Sequence, residues 1–289
     1  MPRTLSALTR HLPMTPVLAL LVTLAGCSRP SPHSAVWDPD SIPDAFARST
    51  AALLWPGLPR AFLVDENGTL SNGLWRVVFE CRADSLVAPG PARVAYEERW
   101  RPVVRWNRRA GSGLWRFEAV AFPARSASDT VLAVSLEIVV TNRGPRRIET
   151  RIRAAYDSLA ADTPFIAADG SPPSHAQSRW SAGGGPDSAC GWTRDAGAGG
   201  EIGVALGPGE SRRLRFLLVS HPLAGRELAA CARISHAQRA RRVADYWNAE
   251  VVKGTRFELG DPEVENALRA ARVVVLACRA RWAGWWFPL

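Results

Sequence analysis

Residues 131–153 read VLAVSLEIVVTNRGPRRIETRIR, and this stretch decides the fold class. Its first eleven residues are largely apolar and β-branched, which predicts a strand that is buried on both faces. The segment Asn142-Arg143-Gly144-Pro145 predicts a turn. After the turn, Ile148, Thr150 and Ile152 alternate with charged residues. This period of two is typical of a strand with one buried and one solvent-exposed face.

The same alternation extends outward in both directions from this stretch. The positions that would face a core are Trp75, Val77, Phe79 and Cys81, then Trp115, Phe117, Ala119 and Ala121, and finally Ile202, Val204, Leu206, Leu214, Phe216 and Leu218 around a turn at residues 207–210. Asn67-Gly68 and Asn72-Gly73 are strong turn signals. Residues 169–200 are dense in Gly, Pro, Ser and Asp, so we expect a loop there. Repeated strands without crossover helices predict a mainly β protein with a large antiparallel β-sandwich.

Composition narrows the class of protein further. The chain has 289 residues and is 47% hydrophobic, which excludes disorder for most of it and allows one large domain or two ordinary ones. The formal net charge is +9, and every basic residue except Lys253 is an arginine. These arginines are scattered and have acidic neighbours, whereas a nucleic-acid-binding protein usually gathers its positive charge. We therefore expect no nucleic-acid partner, and a coding bias toward arginine accounts for the charge equally well.

The N-terminus resembles the signal of a bacterial lipoprotein. Arg3 and Arg10 precede a short apolar run, which ends in Leu24-Ala25-Gly26-Cys27 like a lipobox. The resemblance implies that residues 1–26 are removed, that Cys27 is lipidated, and that residues 27–58 form a tether. Ser28 fits sorting to the outer membrane, facing the periplasm or the exterior. The alternative is an ordinary secreted protein with a coincidental cysteine.

Four further cysteines, Cys81, Cys190, Cys231 and Cys278, could form disulfides in an oxidising envelope. Their wide spacing excludes a CxxC redox or zinc motif. Three of them lie on apolar faces, where free buried thiols are common, so we expect at most one disulfide. His33, His175, His221 and His236 are too dispersed to indicate a metal site, and we expect no cofactor.

No residue pattern indicates a catalytic site. The chain has no HExxH, Gly-x-Ser-x-Gly or Walker motif. Glu97 and Glu98 could suggest a pair of catalytic carboxylates. We expect them to be structural, because neighbours on a strand point to opposite faces and could not flank one bond.

The C-terminal part of the chain changes to a helical period. The apolar positions of a first helical segment are Leu228, Cys231, Ile234, Val243 and Trp247, with Arg239, Arg241 and Arg242 expected on the other side. A short strand is expected around Phe257 and Leu259. Gly260-Asp261-Pro262-Glu263 then predicts the start of a helix of about 20 residues that ends near Gly284. Its apolar face would contain Val264, Leu268, Ala271, Val275, Cys278 and Trp282.

This order of elements resembles the front part of the six-hairpin glycosidases, in which a β-supersandwich precedes an (α/α)6 barrel. The likeness is carried by Tyr246-Trp247 at the end of the linker helix, by residues 255–259, by residues 261–270 and by the turn at residues 207–211. The resemblance implies a sandwich over residues 59–222. It further implies that residues 223–289 are a helical linker and the first helix of a truncated barrel. The family's acid and base carboxylates would lie beyond Leu289, so none is assigned to this chain. Alternatively, the last helix packs back onto the sandwich.

The resemblance leads to our first functional hypothesis. It is the non-catalytic N-terminal portion of a carbohydrate-active, glycoside hydrolase-like envelope lipoprotein, which braces or shapes a carbohydrate site. The partners would be an oligo- or polysaccharide and the membrane. The alternatives are a stand-alone carbohydrate-binding module and a purely structural cell-surface lipoprotein. Most of the 12 Trp residues fall in expected strands, but Trp285 and Trp286 would lie in a domain-entry loop, so they are the candidate sugar-binding residues.

Overall fold

The computed structural model describes residues 50–58, 60–72, 75–89, 93–125, 130–158, 165–168, 180–181, 191–195, 199–220, 223, 225–253, 258–282 and 285–288. The strands among them are β1 (Ala51–Leu53), β2 (Phe62–Val64), β3 (Leu70–Ser71), β4 (Trp75–Ala83), β5 (Leu86–Val87), β6 (Val94–Glu97), β7 (Arg101–Ala110), β8 (Gly113–Arg125), β9 (Thr130–Asn142), β10 (Ile148–Ser158), β11 (Phe165–Ala168), β12 (Trp180–Ser181), β13 (Gly191–Asp195), β14 (Gly199–Leu206), β15 (Ser211–Val219), β16 (Arg279–Trp282) and β17 (Trp285–Pro288). The helices are α1 (Gly225–Ala232), α2 (His236–Val251) and α3 (Pro262–Ala277).

Most of these strands form two sheets. The first sheet has the order β1-β2-β3-β4-β10-β14-β13, and β5 also pairs with β4. The second sheet has the order β12-β11-β15-β9-β8-β7-β6. All pairs within the described strands are antiparallel except β11 with β12. Strands β16 and β17 form a separate hairpin.

The two sheets pack face to face through aromatic side chains. The ring of Phe79 on β4 lies 5.3 Å from that of Phe216 and 6.0 Å from that of Phe117, both on the second sheet. Trp106 stacks on Phe117 at 4.8 Å. Such contacts exclude water from a core that neither sheet could form alone. The predicted mainly β, sandwich-like fold is confirmed.

The predicted strand faces also agree with the observed burial. Val77, Phe79 and Cys81 are fully buried, whereas Arg76 and Arg82 are exposed. Strand β9 is buried on both faces over much of its length, as its apolar sequence predicts, because one face meets the sandwich core and the other meets the helices. Cys81, Cys231 and Cys278 are free thiols. Burial raises the pKa of the Cys81 thiol to about 12, so this thiol is chemically inert.

Two of the predicted turns connect the sheets instead of closing hairpins. The turn after Asn142 leads from β9 in the second sheet to β10 in the first, and residues 207–210 lead from β14 back to β15. The side chain of Asn142 joins these crossings, because its Nδ2 donates to the carbonyl oxygens of Arg146, Leu206 and Gly207 at 2.7–3.1 Å. Its Oδ1 accepts from the amide of Gly144 at 2.8 Å.

The helices cover the outer face of the second sheet. Helix α2 begins with a capping box in which Ser235 and Gln238 exchange hydrogen bonds. Helix α3 begins as predicted, with Asp261 accepting from the backbone amides of Glu263 and Val264. Val243 and Trp247 of α2, together with Val273 and Ala277 of α3, form one apolar cluster with Val103 and Val120 of the sheet.

Two expectations for the C-terminal elements were wrong. Helix α3 ends at Ala277 and not near Gly284, because the aromatic residues that follow favour strand pairing and form β16 and β17. Glu258 and Leu259 do not belong to a strand, and Phe257 lies outside the described residues.

Strands β12 and β13 lie within residues 169–200, where a loop was expected. Edge strands can add to a sheet by backbone pairing alone, so their sequence need not alternate. The first sheet also begins with β1, ahead of the expected sandwich boundary at residue 59.

Candidate functional site

The structure describes only some of the residues that the sequence singled out as candidates. Cys27 lies outside the described residues. Trp285 and Trp286 lie in strand β17, where their backbones pair with Trp282 and Arg281, and not in the expected loop. The prediction that the two tryptophans contact sugar stays a prediction.

Helix α3 exposes the apolar face that the sequence predicted. Val264, Leu268 and Val275 are 39–59% exposed, and Val274 beside them is 50% exposed. The side of α3 that is buried against α2 and β7 carries Val273 and Ala277 instead. Part of the helix therefore packs back onto the sandwich, while its wider apolar surface faces outward.

Glu97 and Glu98 converge on one guanidinium group. Glu97 ends β6, and Glu98 has a φ of 50°, so the chain turns between them and does not continue as a strand. Glu97 lies 2.7 Å and Glu98 lies 3.0 Å from Arg101, which also donates to Asn248 of α2 at 3.2 Å. The expectation of opposite faces was wrong, but these contacts agree with a structural role for both carboxylates.

A partly buried chain of polar contacts continues from these glutamates beneath α2. Arg105 contacts Glu97 at 2.9 Å and Glu118 at 2.6 Å. The other oxygen of Glu118 lies 3.1 Å from His236 Nε2, and His236 Nδ1 lies 2.9 Å from Ser135 Oγ. Arg239 Nη1 donates to the same Ser135 Oγ at 3.3 Å. The outer face of the second sheet thus carries one continuous network of charges and hydrogen bonds.

The carboxyl group of Glu118 in this network has a lowered pKa. Burial raises the pKa of its carboxyl group, but the hydrogen bond from His236 and the charge of Arg105 outweigh burial and lower the pKa to about 2. Glu118 is therefore ionised at neutral pH, so its oxygen accepts the hydrogen bond from His236 Nε2. His236 Nδ1 and Ser135 Oγ share the next hydrogen bond, and Ser135 Oγ also accepts from Arg239 Nη1.

The Ser135–His236–Glu118 arrangement has the connectivity of a hydrolase triad. Its surroundings favour a structural role, because Ser135 and His236 are each 2% exposed and neither lines the cavity described next. A nucleophile needs space for the attacked carbonyl carbon beside its hydroxyl oxygen. The network instead fixes the first turn of α2 on the sheet, because His236 of α2 is hydrogen-bonded to both Glu118 of β8 and Ser135 of β9.

A cavity of about 670 Å³ lies beside this network, between the end of β8, helix α1 and the start of α2. Its walls include the apolar side chains of Trp55, Phe122, Ile234 and Val243. Four arginines, Arg125, Arg226, Arg239 and Arg242, line it together with a carboxylate, Glu227. The volume falls in the range of small-molecule sites, which are usually apolar with a few fixed polar groups.

Arg239 is the cavity residue that the sequence analysis placed wrongly. It was expected on the solvent side of α2 with Arg241 and Arg242, but it is only 6% exposed, whereas the other two are exposed. The spacing could have shown this, because residues 239, 243 and 247 are four apart and share the face that packs on the sheet. Burial lowers the pKa of the Arg239 guanidinium to about 10, so it still carries its charge at neutral pH.

Comparison with models of known protein families and with curated proteins finds no match for this chain. The described residues contain no group of three or more His, Cys, Asp or Glu side chains placed to bind a metal ion. Within the same ranges, no helix combines the length and apolarity needed to cross a membrane.

Proposed function

We propose that this chain is the non-catalytic portion of a carbohydrate-active envelope lipoprotein, and that it braces or shapes the carbohydrate site of a helical domain. The observation that carries the proposal is the outward apolar face of α3, formed by Val264, Leu268, Val274 and Val275. Single exposed apolar residues are ordinary, but a row of them along one helix is typical of an interaction surface.

The attachment of α3 supports a bracing role. The side chain of Arg272 donates to the carbonyl oxygens of Val251 at 2.7 Å and Lys253 at 2.9 Å, which ties α3 to the end of α2. Glu263 near the start of α3 pairs with Arg99 of the β6–β7 turn at 2.7 Å. Helix α2 is in turn fixed to the sheet by the buried network. A helix held in this way would present its apolar face to a packed helical domain in one orientation.

Cross-linking in cells tests this proposal. A photoreactive phenylalanine analogue at Val275 is compared with one at Val87, a similarly exposed valine on β5 of the first sheet. We expect the Val275 position alone to cross-link, and mass spectrometry to identify helices of a carbohydrate-active protein in the product. A cross-link to a second copy of this chain, or equal labelling from both positions, would contradict the proposal.

The lipid anchor is tested separately by the Cys27→Ser substitution. We expect wild type to fractionate with membranes and the variant to remain soluble in the periplasm or medium. Continued membrane fractionation of the variant would reject lipidation at Cys27.

The absence of catalysis and the alternative function are tested with the same purified variant. We expect no glycosidase turnover. Hydrolysis that a single carboxylate substitution abolishes would overturn this part of the proposal. The alternative is a stand-alone carbohydrate-binding module, for which Trp285 and Trp286 are the candidate sugar-binding residues. A glycan-array signal that is lost in Trp285→Ala or Trp286→Ala, without a helical partner, would support that alternative.

A further inference from the structure

The guanidinium group of Arg239 has two donors that the fold does not satisfy. Nη1 donates to Ser135, but Nε and Nη2 are buried without a hydrogen-bond partner in the described parts of the chain. Leaving buried donors of a charged group unpaired is costly, and native proteins usually avoid it. The ring of Phe122, 4.3 Å from Arg239 Cζ, stabilises the charge but accepts no conventional hydrogen bond from these atoms.

The unpaired atoms have the geometry of an anion site. Nε and Nη2 lie on the same edge of the planar guanidinium group, and their parallel N–H bonds match the two oxygens of a carboxylate. Arg239 lines the cavity of about 670 Å³ between β8, α1 and α2. Because Nε and Nη2 are themselves buried, an anion reaches them when the Arg239 side chain shifts toward the cavity that it lines, and it then satisfies the donors that the fold leaves unpaired.

The remaining cavity walls restrict the kind of anion. The positive charges of Arg125, Arg226 and Arg242 favour a negative ligand, and Glu227 is the one carboxylate among the described lining residues. Much of the remaining wall is apolar, as with Phe122, Ile234 and Val243. A sugar acid would leave many hydroxyl groups without partners against such a wall, whereas an alkyl or aryl body would gain by burial.

From these observations we propose that the cavity binds an amphipathic carboxylate, an organic anion with an apolar body. Its carboxylate pairs with Nε and Nη2 of Arg239, and its apolar body lies along Phe122 and the neighbouring apolar wall. This binding site does not depend on the bracing role proposed for α3, and either proposal can fail while the other stands.

Isothermal titration calorimetry of the purified chain tests the proposal with three probes. Decanoate has both the carboxylate and the apolar body, decan-1-ol lacks the charge, and glucuronate has the charge on a polar body. We expect decanoate to bind at least about tenfold more tightly than decan-1-ol, the difference that one charged hydrogen-bonding pair supplies. We expect no binding of glucuronate. Equal affinities for decanoate and decan-1-ol, or a preference for glucuronate, would overturn the proposal.

Matched arginine variants locate the site. Arg239→Met removes the guanidinium group and keeps an unbranched side chain, whereas Arg241→Met changes an exposed arginine on the same helix that does not line the cavity. We expect the first substitution to weaken decanoate binding by about tenfold or more and the second to leave it unchanged. Unchanged binding in a folded Arg239→Met variant would reject the assigned contact.

A measurement on the unmodified chain remains decisive if Arg239→Met fails to fold. Cys231 lines the cavity, and Cys278 is a free thiol of intermediate exposure that does not. We expect saturating decanoate to slow the alkylation of Cys231 at least severalfold and to leave the alkylation of Cys278 unchanged, as followed by peptide mass spectrometry. Alkylation of Cys231 at the same rate with and without decanoate would overturn the proposal.

Discussion

The outer faces of the two sheets carry the same types of residue but differ in what surrounds them. On the first sheet, Arg151 and Glu201 form an exposed pair at 3.4 Å, and Arg153 and Glu80 form another at 3.9 Å. On the second sheet, arginines and glutamates lie under α2 and share hydrogen bonds of 3.1–3.2 Å with helix residues. The first arrangement leaves the charges largely in water, whereas the second withdraws them partly from water and pairs both Glu97 and Glu118 with Arg105.

This difference shows how a mainly β chain can hold helices on a sheet. An apolar face alone would bind a helix without fixing its register, because apolar contacts are not directional. Around the apolar cluster of Val103, Val120 and Trp247, the second sheet places directional contacts to His236 and Asn248 of α2. The apolar contacts supply most of the stability, and the polar contacts select one position for the helix.

The largest expected effect comes from the apolar part of the docked face. Trp247→Ala removes a fully buried indole from the contact between α2 and the sheet, and we expect it to lower the free energy of unfolding by about 4 kcal/mol. Urea titration followed by circular dichroism measures this loss. Leu63→Ala, on the exposed side of β2, is the control and should cost under about 1 kcal/mol. Similar losses in both variants would mean that docking of α2 contributes little.

Removing one arginine from the outer face of each sheet should give the next largest difference in the free energy of unfolding. Arg105 is 19% exposed and contacts both Glu97 and Glu118, so Arg105→Met leaves two partly buried carboxylates without this partner. We expect it to lower the free energy of unfolding by about 3 kcal/mol, as loss of one partner of a buried pair does. Arg151→Met in the first sheet should change it by less than about 0.5 kcal/mol. Equal denaturation midpoints for the two variants would show that the charges under α2 contribute no more to stability than the exposed ones.

The acid dependence of stability tests the same network through Glu118. Its pKa is lowered from 4.5 to about 2 in the folded protein, so the unfolded chain binds its proton first as the pH falls. The stabilisation is present above about pH 4.5 and is lost as the pH falls toward 2. Because the side chain is 26% exposed, we expect a loss of about 2 kcal/mol.

Glu118→Gln is the variant that isolates this contribution. It should be less stable than wild type at pH 7, and its stability should decline less between pH 4.5 and pH 2. Glu201→Gln, from the exposed pair on the first sheet, should keep the wild-type acid profile. Parallel profiles for wild type and Glu118→Gln would show that this carboxylate does not stabilise the fold through its charge.

The sequence predicted the sandwich but not which outer face is covered. Alternation at Val77–Phe79–Cys81 and at Ile148–Thr150–Ile152 reports one buried face of a strand, and both predictions were confirmed. The charged residues between the buried positions look alike in both sheets. Whether they meet water or a helix depends on contacts across about 100 residues, such as Ser135 with His236, which no local pattern encodes.

The candidate ligand site shows a similar limit. Its charge was visible as a run of arginines in α2, and helical spacing could have assigned Arg239 to the buried face. The cavity itself forms where β8, α1 and α2 meet, so its volume and walls depend on tertiary packing.

The turn signals in the sequence were ambiguous as well, because Asn142-Arg143-Gly144-Pro145 could close a hairpin or cross between sheets. The contacts of the Asn142 side chain with Leu206 and Gly207 decide for the crossing.

Double-mutant cycles compare one charge pair on each outer sheet face through its coupling energy, which is the smallest effect that we expect. For Arg151 and Glu201, we expect a coupling energy below about 0.5 kcal/mol that falls further in high salt, because both charges remain solvated. For Arg105 and Glu118, we expect a coupling above about 1 kcal/mol that changes little with salt, because solvent ions do not enter between the side chains. Equal couplings with equal salt dependence would show that α2 does not shield the second sheet from solvent.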